Sequence, residues 1–343
     1  MSDETFEVRV CNNCGRKYES EEEFFKNTSR WRISDKKYLW FNCECESTLL
    51  IPKGKYNWYS PQKHLNSQAA TIFNQLDGER KIPYINNNIQ TIQEMVSKNK
   101  DLSQIYSEIR KDSILSDQII AIVQKLRVAN RVNTKNFPNL WHSLNYLGKE
   151  NVYQFLVSAF LASIKVDTKV FDTKKFWSGS YRIGVLSCML GCLNRLPYKS
   201  EQLFIAGSNC QIGKLVLALY YPEKLDRMWS QLSQPDSQCT WKEVEKREES
   251  FDSCILGEIG GALWGLSEDS LDVIRFQDTP GVNNLMKKRD LVNLVSLATI
   301  FHYWTSGQPH LIDRDLFEDR LSYFHLEEND IVHYINLNRD SVA

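Results

Sequence analysis

From residue 85 to about 336 the apolar residues recur at helical spacing, and no run of alternating β-branched residues breaks the pattern. Ile89, Ile92, Met95 and Val96 set it, Ile105 and Ile109 continue it, and Ile119, Ile120, Ile122, Val123 and Leu126 repeat it. Such spacing lines up apolar side chains on one face of a helix, which must then be buried against other helices. Further helices are expected at 150–165, 176–194, 201–220, 222–232, 241–249, 252–264, 267–277, 288–305, 313–323 and 327–336. Ser103 and Ser116 are expected as N-caps. Gly257-Glu-Ile-Gly-Gly261 sits on a helical pattern, where small residues let helices pack closely, and Leu291, Leu294, Val295 and Ala298 form a core stripe. No repeat of fixed period is visible. The fold class read here is mainly α.

Residues 1–60 read differently. Cys11-Asn-Asn-Cys14-Gly15 is followed, after 28 residues beyond Cys14, by Cys43-Glu-Cys45. Four thiolates in two close pairs on tight turns suit tetrahedral zinc. Gly15 fits a knuckle that needs an unusual backbone angle. Strand-like segments at 6–10, 38–41 and 48–51 flank the pairs. The expectation is a small β-rich, zinc-ribbon-like module with one structural zinc ion on Cys11, Cys14, Cys43 and Cys45. Four protein thiolates leave no open position for water, so the site would not be catalytic. The C-x-C spacing of the second pair departs from the commoner C-x-x-C, and unligated cysteines or a redox pair are the alternatives. So short a segment has little apolar core of its own, so ligation would contribute most of its stability. The remaining cysteines are scattered, and Cys188 and Cys192 are expected as small core residues.

Charge gives no global direction: 42 basic residues face 43 acidic ones. No stretch of 18 uncharged apolar residues occurs, so no membrane span is expected. The acidic N-terminus lacks a signal-peptide pattern, and a cytoplasmic protein is the expectation. Lys26, Arg30, Trp31, Arg32, Lys36, Lys37, Tyr38 and Trp40 interleave basic and aromatic side chains within the ribbon. They suit nucleic-acid binding, a partner surface or an ordinary solvated face. Residues 61–80 are expected to form a linker with a short helix over 65–77 ending at Asp77-Gly78, and His64 is expected to be exposed.

Several ordered segments carry a family resemblance. They are Asp112-Ser-Ile-Leu-Ser-Asp-Gln-Ile-Ile, Arg127-Val-Ala-Asn130, Leu140-Trp-His-Ser-Leu-Asn-Tyr-Leu-Gly148 and Phe176-Trp177. They continue with Leu203-Phe-Ile-Ala-Gly207, Ile212-Gly-Lys-Leu-Val-Leu217, Phe251-Asp252, Leu263-Trp-Gly-Leu266 and Ile274-Arg-Phe with Pro280. In this order they resemble the HDOD family, the HD-related output domain of bacterial signalling proteins. The resemblance implies an all-helical HDOD domain over 81–285, with C-terminal helices at 286–343 packing on it. It also implies a role in bacterial signal transduction through protein–protein contacts.

HD-type phosphohydrolases hold one or two metals on His and Asp ligands, which activate water and polarise a phosphoryl oxygen. At the matched positions this chain has Gly179, Cys210-Gln211, Ser253 and Gln277-Asp278. Only Asp252, Cys210 and Asp278 keep any coordinating chemistry. Asp252 is expected to cap a helix, Cys210 to be a small packed residue and His302 to be a half-buried packing residue. No catalytic residue is therefore assigned, and a non-catalytic regulator or adaptor with a signalling protein partner is the leading reading. A nucleic-acid-binding regulator acting through the ribbon is one alternative. The other is a phosphohydrolase-like enzyme with an altered site drawn from Cys210, Asp252, Glu258 and Asp278.

Overall fold

The computed structural model describes residues 8–19, 23–24, 28–33, 38–43, 45, 47–52, 83, 85, 87–130, 132, 139–233, 239–248, 252–278 and 288–337. The chain divides into two compact units, Met1–Glu79 and Arg80–Ala343. The expected linker, the helix at 65–77 and His64 lie outside the described residues. So do the side chains of the basic and aromatic stretch from Lys26 to Trp40.

In the first unit β1 (Arg9–Val10) pairs antiparallel with β2 (Lys17–Tyr18) across the first cysteine turn. The turn is tight because Gly15 N–H donates to Cys11 O at 2.8 Å, and Gly15 has φ +72°, the angle its sequence position called for. β3 (Thr28–Ile33), β4 (Tyr38–Cys43) and β5 (Thr48–Pro52) form an antiparallel meander in that order. The second cysteine pair occupies the β4–β5 turn, closed by Cys43 N–H to Ser47 O at 2.9 Å. Strands β1, β4 and β5 fall where the sequence places them. β2 and β3 lack clear alternation and were not expected.

The second unit is helical throughout its described residues. Its helices are α1 (Asn87–Ser97), α2 (Leu102–Ile109), α3 (Ser113–Ala129), α4 (Leu140–Leu147) and α5 (Lys149–Ser163). Next come α6 (Thr173–Leu193), α7 (Ser200–Asn209), α8 (Ile212–Tyr220), α9 (Pro222–Leu232) and α10 (Trp241–Arg247). The last five are α11 (Ser253–Leu263), α12 (Glu268–Phe276), α13 (Arg289–Thr305), α14 (Arg314–Tyr323) and α15 (Glu328–Leu337). α6 packs on α3, α7 and α13, and α8 packs on α11. Leu291, Leu294, Val295 and Ala298 of α13 are fully buried, as their stripe implied.

Four details differ from the sequence reading. Asp101 and Asp112, not Ser103 and Ser116, stand at the N-caps of α2 and α3. The Asp112 carboxylate accepts from Leu115 N–H at 3.0 Å, while the Ser116 hydroxyl donates back to Asp112 O. The expected helix over 201–220 is two helices, broken at Cys210-Gln211. Cys188 is buried as expected, but Cys192 is exposed. The apolar stretch Ser200–Tyr220 is long enough to cross a membrane, yet 89% of its apolar window is buried inside the protein. It is a core segment.

Candidate functional site

The first site is the cysteine cluster. The two turns bring the Sγ atoms of Cys11, Cys14, Cys43 and Cys45 within 4.8 Å of one another. Cys11 lies 3.5 Å from Cys45, and Cys14 lies 3.6 Å from Cys43. Metal–sulfur bonds of about 2.3 Å in a tetrahedron set sulfurs roughly 3.8 Å apart, so the cage has the right size for an ion. Neighbours orient the sulfurs. Ser47 Oγ stands 2.8 Å from Cys11 Sγ and 3.2 Å from Cys45 Sγ, and Tyr18 OH donates to Cys43 Sγ at 2.9 Å. The Ser47 hydroxyl is the main reason the Cys45 thiol drops to about 5, and it lowers Cys11 as well. Cys14 moves the other way, to about 12: the Arg16 amide pulls it down, but the neighbouring sulfurs and burial outweigh that pull. Ser47 and Tyr18 were not singled out in the sequence, though Ser47 stands only two residues past Cys45.

The second site lies where the phosphohydrolase ligands would be. Cys210 ends α7, Gln211 precedes α8, Ser253 opens α11 and Gln277-Asp278 follow α12. All five line one small cavity of about 50 Å³, together with Lys214, Trp241, Lys242, Cys254 and Tyr303. Their side chains are committed to each other. Gln277 Nε2 donates to Cys210 O, and Cys254 Sγ donates to Asp278 Oδ2 at 3.4 Å. Burial pushes the Cys210 thiol up to about 12. Asp252 caps α11, accepting from Cys254 N–H at 2.8 Å, as the sequence implied. Glu258 belongs elsewhere, paired with Arg275 at 3.4 Å.

Two lysines dominate the electrostatics. Lys242 Nζ donates to Asp252 Oδ1 at 3.0 Å and lies 3.7 Å from Glu245 Oε2. Burial works against its charge, but Cys254, Asp278, Glu245 and Asp252 outweigh burial, and its ammonium is held well above the ordinary range. In return burial would raise Asp252, but Lys242 keeps it below the usual carboxylate range. Lys214 is only 6% exposed. Its Nζ donates to Tyr303 OH at 2.9 Å and to Gln211 Oε1 at 3.2 Å, and lies 4.5 Å over the Trp241 ring. A phosphohydrolase metal does not fit these residues. A divalent ion in this cavity would meet two ammonium groups, two amides, several hydroxyls, two thiols held in their neutral form by burial, and only two carboxylates, Asp278 and Asp313, of which Asp313 already caps α14 by accepting from Leu316 N–H at 3.1 Å.

Gly179 sits apart, on α6, in a larger neighbouring cavity of about 600 Å³ that shares Gln211, Lys214, Trp241 and Tyr303 with the small one. The space a side chain would take there is used by α13: a Cβ on Gly179 would lie 3.0 Å from His302 Nε2. Burial, then Arg182 and Lys214, hold that imidazole down at about 4, so it is neutral near pH 7. His302 is therefore expected to make stability pH-dependent. Below 6.5 the unfolded chain gains a proton that the folded one refuses, so stability falls from there to about pH 4 and then levels. The span corresponds to about 3 kcal/mol. Unfolding midpoints measured across pH 4–7 should fall more steeply for the wild type than for His302→Gln; parallel curves would refute the assignment.

The HDOD domain family model matches residues 82–280. Solved structures share the fold. A "Putative signal transduction protein" from Marinobacter aquaeolei VT8 aligns with a TM-score of 0.55 at 14% identity, covering 89% of this chain and 75% of that one. An HDOD domain protein with unknown function from Geobacter sulfurreducens aligns at 0.53 and 12%, covering 79% and 97%. A "Putative metal-dependent phosphohydrolase" from Shewanella amazonensis SB2B aligns at 0.50 and 16%, covering 81% and 100%. No curated protein matches the chain.

Proposed function

The chain belongs to the HDOD domain family, and from that premise we propose that it is a non-catalytic regulator in bacterial signal transduction, working through contacts with a signalling protein partner. The observation that carries this reading is the pair of lysines, Lys214 and Lys242, lining the cavity where metal ligands would converge. At the positions of the matched ligands, Gln211, Ser253 and Gln277 put neutral groups into that cavity. An ammonium does there what a metal cannot share: it satisfies the local carboxylates and fixes the helices around them. The frame is kept and the hydrolytic chemistry is replaced, which is what a scaffold or sensor needs. The N-terminal ribbon, in this reading, holds one structural zinc ion on Cys11, Cys14, Cys43 and Cys45, and the protein works in the cytoplasm.

The test is a phosphodiester assay. Purified protein incubated with bis-p-nitrophenyl phosphate and Mg²⁺, Mn²⁺ or Fe²⁺ is expected to release no more nitrophenol than its Asp278→Asn variant. Metal-dependent turnover that disappears in Asp278→Asn would make the chain an enzyme and end the proposal.

A further inference from the structure

The four cysteine ligands are not equally sheltered. Cys11 and Cys43 are buried, at 0% and 1% exposure, and Cys45 is half-buried, but Cys14 is exposed. Its neighbours on the knuckle, Asn12 to Lys17, are exposed as well. A purely structural ion gains nothing from an open ligand, whereas a chemical reagent needs one.

Hydrogen bonds sort the sulfurs in the same way. Cys43 Sγ accepts from the Tyr18 hydroxyl at 2.9 Å, and Ser47 Oγ touches both Cys11 Sγ and Cys45 Sγ. Asn13 Nδ2 adds a longer contact to Cys45 Sγ at 3.7 Å. Cys14 has the main-chain amide of Arg16 as donor and, among the described residues, no hydroxyl or amide side chain. With an ion bound, all four sulfurs are thiolates, so these differences rank them. A donor on a thiolate draws charge off the sulfur and blunts it as a nucleophile. Exposure and hydrogen bonding thus single out the same atom independently. A second sulfur is at hand, since Cys43 Sγ lies 3.6 Å from Cys14 Sγ. An accessible thiolate beside a resolving cysteine is the arrangement that oxidant-sensitive sites use.

Given a zinc ion on these four cysteines, the reading on which this inference rests, we propose that Cys14 is an oxidation site for peroxide, that Cys43 resolves it, and that oxidation empties the metal site. The Cys14 thiolate attacks one peroxide oxygen: an S–O bond forms, the O–O bond breaks and hydroxide leaves. The Cys43 thiolate then attacks the Cys14 sulfur: an S–S bond forms, the S–O bond breaks and a second hydroxide leaves. Two thiolates have given two electrons to one peroxide, and the hydroxides take protons from water. Cys11 and Cys45 remain as two ligands where a closed site needs four, and the ion is released. Because ligation supplies most of the stability of so small a unit, the ribbon loses its fold with the ion. A thiol reductant reverses the disulfide, so the ribbon is a reversible oxidant-responsive input to a signalling chain.

The zinc-loaded full chain, freed of reductant and treated with hydrogen peroxide, tests this, with released zinc read by a chromophoric indicator and the cysteines mapped by peptide mass spectrometry. Zinc should be released as peroxide acts, and dithiothreitol with added zinc should restore the loaded protein. Dimedone present from the start should mark Cys14 before the other three ligands, and without dimedone a disulfide between Cys14 and Cys43 should accumulate. Cys14→His keeps a zinc ligand and removes the attacking sulfur, so its release should be slower by at least about tenfold. Mapping of the wild type needs no variant, so it decides the point even where Cys14→His does not fold. Four results would each overturn the proposal. They are zinc retained while the exposed Cys192 of α6 oxidises, dimedone found first on Cys11, Cys43 or Cys45, a disulfide that leaves out Cys14 or Cys43, and release at the wild-type rate from zinc-loaded Cys14→His. A chain that carries no zinc before peroxide is added would instead end the zinc reading, and this inference with it.

Discussion

Gly213→Ala is expected to lower the thermal midpoint of the helical unit by roughly 6–12 °C, or to prevent its folding. The reason is a helix crossing made by two glycines. α8 and α11 meet where Gly213 faces Ser253 and Gly257, and a Cβ on Gly213 would stand 1.7 Å from the Ser253 carbonyl oxygen. That obstacle is backbone, so no rotamer change relieves it; the helices have to separate. Overpacking of this kind costs about 3 kcal/mol or more when neighbours cannot yield. For a unit of this size each kcal/mol moves the midpoint by about 2–4 °C. Separation would also shift Gln211 and Lys214 away from Cys254 on α11, so the small cavity should open in any variant that still folds. Gly179→Ala is the contrast. Its new methyl meets only the rim of the His302 ring at 3.0 Å, a side chain that can turn, and its midpoint should move by a much smaller amount. Differential scanning of both variants against the wild type decides the point. A Gly213→Ala midpoint within about 1 °C of the wild type would mean that the two helices are not in backbone contact.

The crossing also shows what the sequence makes legible. Small residues on the 257–261 helical stripe signal close packing, but their partner, Gly213, lies 44 residues earlier, and only the fold pairs them. Helix positions are local properties, and periodicity placed most of them within a few residues. The break at Cys210-Gln211 was missed although Ser208-Asn209 and the flanking Gly207 and Gly213 mark it, because the apolar helical pattern resumes directly at Ile212. The caps of α2 and α3 were misassigned by one or more residues because aspartate and serine serve equally well there, and in each case both were available. The cysteine cluster was readable because its spacing is itself the geometric constraint. Lys214 and Lys242 were not. Lys242 has polar neighbours, where a lysine is ordinarily solvated, and Lys214 is a lone cation in the apolar run Ile212–Leu219, where a lysine more often reaches out to solvent. The burial of Lys214 depends on Trp241 of α10 and Tyr303 of α13 closing over it, and Lys242 meets its carboxylates only because α10 lies beside α11, neither of which a single segment records. His302 was placed as a half-buried packing residue, but its packing partner, Gly179, is 123 positions away.

Removing metal is expected to unfold the N-terminal unit and leave the helical one intact. Among the described residues of that unit the buried hydrophobic set is Cys11, Tyr18, Phe24 and Cys43. Two of these four are the cysteines themselves. The other two are rings packed edge to face at 5.2 Å. Burying two aromatic side chains contributes about 2–3 kcal/mol each. Ordering the backbone costs about 1–2 kcal/mol per residue, and the two sheets and both turns have to be ordered. Among the described side chains, two rings do not offset that. A structural zinc ion supplies on the order of 10–16 kcal/mol in comparably small modules, which would carry most of the cost. The helical unit has no such need, since its buried set runs from Ile85 to Ile331 through nearly every helix. Elemental mass spectrometry should therefore find one zinc per chain in the wild type and none in Cys43→Ser/Cys45→Ser. Chelation at neutral pH should make residues 1–79 sensitive to brief proteolysis, while far-ultraviolet circular dichroism, dominated by the helices, barely changes. Serine keeps the size of the side chain and loses the thiolate, so the double variant isolates ligation from packing. Zinc that survives both substitutions would have to sit elsewhere, and an N-terminal unit that resists protease without metal would mean that its own packing is enough to fold it.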